Sequence, residues 1–325
     1  MTKLPRRLLG RTGLQVPPIG IGAAEIGDMT ETFAYSVPKE RALETVRAAL
    51  ASPITFLDTA ASYGDGESER RIGLVLREQH GLPPNYVLST KADRDLHTGD
   101  FSGEQFKRSV ERSLKLLGLD RLQLVFVHDP EHTPFEAAMA PGGPVEVLLR
   151  FKDEGLIEHV GVAGGPIDLL IRYVETGAFE AVITHNRYTL LNQSAEPLIE
   201  VSHQRGLGVL NAAPYGSGLL AKGPGAYPRY AYTPAPDDLI VRAQAMEKIC
   251  ADYDIPLAAP ALQFSLRDAR IVSTIVGMSR PERLQQTLEL AAIAIPDEMW
   301  ARLDAYVGPP ADPEAVRWRR PATDA

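Results

Sequence analysis

The sequence predicts an α/β protein built as one closed barrel of eight parallel strands with helices between them. Three observations predict it. Short apolar runs rich in β-branched residues recur along the 325 residues, helical patterns separate them, and no break in composition divides the chain.

The strand-like runs are 18–22, 54–59, 86–90, Leu122–His128, 159–163, Ala181–His185, Gly208–Ala212 and 271–276. Their continuous apolar character suits strands buried on both faces. Ahead of the first lies 6–16, where the turn Gly10-Arg11-Thr12-Gly13 predicts a small hairpin placed to plug the barrel bottom. Helix 38–51 opens on Pro38 and repeats Leu43, Val46, Ala49 and Leu50 on one face. Helix 67–79 carries Ile72 and Leu76 with charges opposite. Helix 102–117 has Ser102 as N-cap, Gln105 as the second half of a capping box, and Gly118 as its stop. Segments 143–154, 167–176, 195–204 and 281–292 follow the same logic, and 239–254 and 257–267 form a helical pair before the last strand. The alternation describes a (β/α)8 TIM barrel occupying 1–325 as a single domain, with 309–325 as an extended C-terminal tail. An open doubly wound sheet is the rival. Segment 221–236, dense in Gly, Pro and Tyr, and the Pro-rich tail read as surface loops or lids. Tyr227, Tyr230, Tyr232 and Trp318 fall in them and are assigned to packing.

Composition narrows the function. The hydrophobic share is 44%, and 34 basic against 42 acidic residues leave a net charge of −8. That balance argues against nucleic-acid or membrane-surface partners. A single cysteine, Cys250, forms no intrachain disulfide and reads as a small buried apolar residue. Neither a secretory signal nor an apolar run long enough to span a membrane is visible, so a cytoplasmic protein acting on a small molecule is expected. Asn192-Gln193-Ser194 fits a glycosylation pattern by chance.

In barrels of this kind, chemistry sits at the C-terminal ends of the strands. Here the strand runs end on Asp58, Lys91, His128-Asp129 and His185-Asn186. Tyr63 follows Asp58 on the next loop, in Asp58-Thr59-Ala60-Ala61-Ser62-Tyr63-Gly64, and reaches the same rim. Any one of these residues alone is a turn cap or a solvated charge; their joint occurrence is the signal.

The order Asp58, Tyr63, Lys91, His128 resembles the aldo-keto reductase superfamily. Leu9-Gly10-Arg11-Thr12-Gly13-Leu14 and Gly277-Met278-Ser279-Arg280-Pro281-Glu282-Arg283 support the match, which runs from about residue 8 to 303. Within the superfamily the chain resembles the branch of aldose 1-dehydrogenases and sugar-aldehyde reductases. The resemblance implies that Tyr63 donates the proton in reduction and accepts it in oxidation. A phenol ionising near pH 10 needs roughly 3–4 kcal/mol of help to do so near neutrality. An ammonium about 4 Å away supplies roughly 4 kcal/mol at an effective dielectric of about 20. Lys91 is therefore expected to lower Tyr63, Asp58 to hold Lys91, and His128 to hydrogen-bond and orient the carbonyl.

The resemblance also implies a nicotinamide dinucleotide, NADP(H) preferred with NAD(H) as second choice. Arg280 and Arg283 open the last helix where relatives hold the adenosine 2′-phosphate, and Met278, Ser279, Gln286 and Thr287 belong to the same region. Gly22 and Ala23 at the first strand end, and Ala212, Pro214, Tyr215, Gly216, Ser217, Gly218 and Leu219 after the seventh, are carried over as further contacts. Several positions depart from the family pattern. Gly277 stands where many relatives have Lys, Ala163 and Gly164 replace Ser-Asn, His185 replaces Gln, and Ala212 replaces a stacking Tyr. Two pocket tryptophans are replaced by Ala24 and Asp129, which makes the substrate pocket more polar and suits a sugar. Direction stays open between oxidation of a free aldose to its lactone and reduction of a small aldehyde.

Rival motifs fare poorly. Gly216-Ser217-Gly218-Leu219-Leu220-Ala221 lies too late for a dinucleotide fingerprint, and Gly20-Ile21-Gly22 meets Glu25 at the third glycine position. A Schiff base on Lys91, metal-dependent hydrolysis through Asp58, His128 and His185, and the cofactor-sensing role of some relatives are weaker alternatives; no metal is expected.

Overall fold

The computed structural model describes residues 4–309 and 311–315. Eight parallel strands close into a barrel: β1 (Ile19–Gly22), β2 (Phe56–Asp58), β3 (Val87–Ala92), β4 (Leu122–His128), β5 (Ile157–Gly164), β6 (Ala181–His185), β7 (Gly208–Ala212) and β8 (Ile271–Gly277). They pair in sequence order, and β8 returns to β1 with Gly277 opposite Gly22. The open-sheet alternative is thereby excluded.

Outside the barrel lie α1 (Lys39–Leu50), α2 (Glu67–Glu78), α3 (Gly103–Leu117), α4 (Pro144–Asp153), α5 (Ile167–Glu175), α6 (Glu196–Gln204), α7 (Asp237–Asp252), α8 (Ala258–Leu266), α9 (Glu282–Ala292) and α10 (Asp297–Asp304). The last of these was not expected from the sequence. Ser102 caps α3 by accepting from the Gln105 N–H, and Gly118 ends it in the left-handed region. The capping box is only half made: the Gln105 amide donates to the Asp93 carbonyl at 3.1 Å. That bond ties the helix to the end of β3.

The barrel interior is filled by Phe56, Val87, Leu124, Phe126, Ile183, Leu210 and Ile275. Leu9 and Val16 of the N-terminal hairpin (Arg7–Leu8 paired with Gln15–Val16) join the same cluster and are fully buried, so the hairpin plugs the barrel bottom. A Cβ at Gly208 would lie 2.5 Å from Leu9 Cδ1, which is why the strand opposite the plug is glycine there. A larger cluster packs the helices onto the strands. A third, with Leu219, Leu220, Tyr230, Met246, Ala261 and Trp300, sits beneath segment 221–236. Cys250 is buried in this third cluster.

Both irregular regions are tied down. Residues 229–234 form a two-stranded turn, Tyr230 OH donates to Asn186 O at 2.8 Å, and Tyr227 OH donates to Phe33 O at 3.0 Å. In the tail, Ala311 O accepts from Asn192 Nδ2, while Asp312 and Glu314 pair with Arg187, whose side chain is fully buried. Asn192 is thus a buried structural residue. Trp318 and the tail beyond 315 lie outside the described residues. No helix among the described residues is long and apolar enough to cross a membrane.

Candidate active site

The C-terminal rim gathers the polar strand ends. Asp58 closes β2, Lys91 lies near the end of β3, and His128 closes β4. Tyr63 sits on the turn between β2 and α2; that turn is held by Ala61 N–H to Lys91 O and Ser68 N–H to Tyr63 O. The four predicted catalytic side chains converge. Lys91 Nζ is 2.5 Å from Asp58 Oδ2, 2.8 Å from Thr59 O and 3.3 Å from Tyr63 OH. Ser89 donates to the other Asp58 oxygen at 2.7 Å. All three ammonium protons are engaged, which leaves Lys91 ill suited to form a Schiff base. The His128 ring stands edge-on to Tyr63 with centroids 5.8 Å apart.

The expected effect of Lys91 on Tyr63 is corrected here. Burial pushes the phenol well above its ordinary value, and the carboxylates of Asp58, Asp129, Asp93 and Glu25 push it further. Lys91, paired with Asp58 at close range, does not reverse that direction. The phenol is held protonated.

Asp93, two residues beyond Lys91, was not selected from the sequence, yet the fold brings it to His128. Its Oδ1 lies 2.7 Å from His128 Nδ1, and its Oδ2 accepts from the Ser62 N–H. Burial lowers His128, but Asp129 and Asp93 outweigh it and raise the imidazole above its usual value. These carboxylates favour the charged ring, in which Nδ1–H faces Asp93 and Nε2–H faces the rim. Asp129, in the left-handed region at φ 43°, places its carboxylate 3.6 Å from that Nε2. Burial opposes its ionisation, but His128, His185, His132 and Arg94 hold it below the usual carboxylate range.

Beside the tetrad runs a cleft bounded by Gly22 and Ala24 from the end of β1, by Ala212, Pro214, Tyr215, Ser217 and Gly218 after β7, and by Gly277, Ser279, Arg283 and Thr287 around β8 and α9. Asp58 and Tyr63 line its inner end. Other expected contacts stand behind or away from it. Ala23 is buried and donates to Asp58 O. Gly216 abuts the Tyr230 ring, Leu219 belongs to the third cluster, and Met278 is in the core. Arg280 and Gln286 are exposed on the outer face. Ala163 and Gly164 end β5 in buried positions, with Gly164 against the Glu131 carboxyl. His185 turns to Glu314, with Nε2 3.1 Å from its Oε2.

The cleft also holds residues the sequence reading did not select: Glu25, Phe33, Tyr35, Lys222 and Tyr232. Of these, Glu25 enters the sequence reading only where it breaks a glycine motif, and Tyr232 only as a packing residue. A broad depression of about 730 Å³ at the N-terminal end, lined by Arg6, Gln15, Asn85 and Arg121 among others, contains none of the expected site residues.

Residues 18–307 match the Aldo/keto reductase family. The chain is 33% identical to D-threo-aldose 1-dehydrogenase of a Pseudomonas species, over 90% of this chain and 94% of that one. It is 29% identical to L-galactose dehydrogenase of Arabidopsis thaliana, over 95% and 96% of the two chains. Its fold is similar to that of a Bacillus halodurans aldo-keto reductase in its holo form, with a TM-score of 0.76 at 20% identity, covering 97% of this chain and 99% of that one. The chain belongs to the aldo/keto reductase family and is an oxidoreductase acting between CH–OH and C=O groups.

Proposed function

We propose that this aldo/keto reductase oxidises a free aldose at its anomeric carbon to the aldonolactone, with Tyr63, Lys91, Asp58 and His128 as the catalytic set and NADP(H) favoured over NAD(H). The observation that carries the sugar reading is Asp129. A carboxylate kept ionised beside His128, with 21% of its side chain still exposed, offers acceptors for sugar hydroxyls. The names of the two relatives above, both sugar dehydrogenases, support it.

The cleft fits an anionic dinucleotide. Arg283, Lys222 and Ser279 supply donors at one end, and the Tyr215 hydroxyl is buried with no partner among the described residues. Bound there, the dinucleotide supplies the two-electron chemistry. The chain supplies proton transfer and orientation. His128 donates from Nε2 to the substrate oxygen and positions it. In oxidation Tyr63 first releases its phenolic proton to solvent and the phenolate takes the proton of the substrate hydroxyl. In reduction the phenol gives that proton to the same oxygen, and Lys91, fixed by Asp58 and Thr59 O, faces the phenol oxygen from 3.3 Å.

A second reading has its own observation. Because Tyr63 is held protonated, the unliganded site is set as a proton donor, which favours reduction of a small aldehyde by NADPH. The deciding assay follows reduced-nicotinamide absorbance with NAD and NADP separately, against free aldoses forward and small aldehydes in reverse. Rapid aldose oxidation is expected. Silence there, with fast NADPH-driven aldehyde reduction, would replace the first reading by the second.

A further inference from the structure

Glu25 follows β1 and begins the short turn Glu25–Gly27, yet its carboxylate lies on the far side of the barrel closure, flat against Gly277 at the end of β8. A Cβ at Gly277 would fall 1.8 Å from Glu25 Oε1 and 2.8 Å from Oε2, so any side chain there would displace the acid from this seat. The acid thereby stands among the groups that line the cleft at Ser279 and Arg283.

Cations face it from two other elements. Arg283 from α9 and Lys222 from the turn after β7 both favour its ionised form. Arg280 adds to the positive field around Lys222, whose ammonium packs over the rings of Tyr227 at 4.0 Å and Tyr35 at 4.8 Å. Tyr35, Tyr63 and Tyr232 all feel the Glu25 charge. Burial is the strongest influence on the acid and outweighs the cations, so it ionises near pH 7.

Charge counting gives the consequence. Lys222 and Arg283 line the cleft, Arg280 adds to the field around Lys222, and Glu25 cancels one of these charges. A pyrophosphate carries two negative charges, and the 2′-phosphate of NADP(H) adds roughly 1.5–2 more. The charge that Glu25 cancels is therefore missed most by NADP(H).

We propose that Glu25 is a specificity-determining residue for the dinucleotide: its carboxylate, seated on Gly277 with Arg283 and Lys222 facing it, narrows the preference for NADP(H) so that NAD(H) is also accepted. This rests on the reading above that the cleft takes a nicotinamide dinucleotide.

The test is calorimetric titration of the unliganded chain with NADPH and NADH, without substrate, at pH 5.5 and 8.5 and constant ionic strength. At pH 8.5, Glu25→Gln should tighten NADPH roughly tenfold and NADH by less than about threefold. At pH 5.5, where Glu25 is protonated in the parent chain, the two proteins should converge; protonation of the 2′-phosphate moves both alike. The parent chain gives a second measurement that needs no variant. NADH binding near pH 7, repeated in buffers of different ionisation enthalpy, should take up a fraction of a proton as the pyrophosphate approaches the acid. Equal tightening of both dinucleotides by Glu25→Gln, a gap that persists at pH 5.5, or no proton uptake overturns the proposal and leaves dinucleotide binding standing. Failure of both dinucleotides to bind the parent chain overturns the proposal together with the reading beneath it.

Discussion

The two halves of the C-terminal rim are built on different plans. On β2–β4 the functional side chains hold one another: Asp58 holds Lys91, Asp93 holds His128, and each pair links neighbouring strand ends at 2.5–2.7 Å. On β5–β8 the strand ends are mostly Gly and Ala, and the polar groups arrive from elsewhere. Glu25 comes from the first loop, Lys222 from the turn after β7, and Glu314 from the tail. On the proposed function, the contrast separates chemistry, preorganised within adjacent strands, from recognition, which depends on segments distant in sequence meeting at the closure.

The sharpest way to break the first half is Tyr63→Phe. Turnover should fall roughly thousandfold while dinucleotide binding, read by calorimetry, stays within about twofold. Retention of more than about a tenth of parental turnover would remove Tyr63 from the catalytic set.

The second half should fail through stability. Arg187→Ala leaves Glu314 buried without its guanidinium, and a loss of roughly 3–5 kcal/mol in unfolding free energy is expected in denaturant titration. The pH dependence has a definite sign. Burial raises Glu314, but His185 and Arg187 overcome this and hold its carboxyl below the ordinary range. Its contribution is therefore complete above the unfolded value of about 4.3 and is lost as pH falls through the folded one. A variant as stable as the parent at pH 7 would show that the tail contact is dispensable.

Asp93→Asn sharpens the comparison inside the first half. Asp93 is one of two carboxylates that raise His128, so its removal should lower the imidazole and move the loss of activity at alkaline pH to a lower pH. Turnover should drop roughly ten- to hundredfold. An unshifted pH profile would reduce Asp93 to a packing role.

The smallest expected effect concerns the outer edge of the cleft. Replacing Arg280 and Arg283 together by Ala should weaken NADP(H) roughly tenfold more than NAD(H), measured as dissociation constants. Equal weakening would refute a phosphate clamp.

Legibility in the sequence followed the same division. Asp58, Lys91 and His128 could be found because each stands at or beside the end of an apolar run that has to be buried, and Tyr63 because its loop follows directly. Asp93 was overlooked although it lies just past the same strand, since nothing local shows that it turns toward His128. Gly277 was visible as a departure from the family pattern, but its partner Glu25 was not. His185 was carried over as a cofactor contact, whereas the folded chain turns it to Glu314.

What the sequence determined by itself was the barrel and the identity of its polar strand ends. Eight apolar runs separated by helices have one economical way to bury both faces, and the residue ending each run is placed by covalent adjacency. Tertiary structure alone decided the electrostatics. Closing β8 onto β1 brings residue 25 against residue 277, stacking β3 beside β4 brings Asp93 to His128, and burial of Tyr63 near four carboxylates raises a phenol that local reasoning expected to fall. These outcomes depend on distances between strands, to which no periodicity along the chain refers.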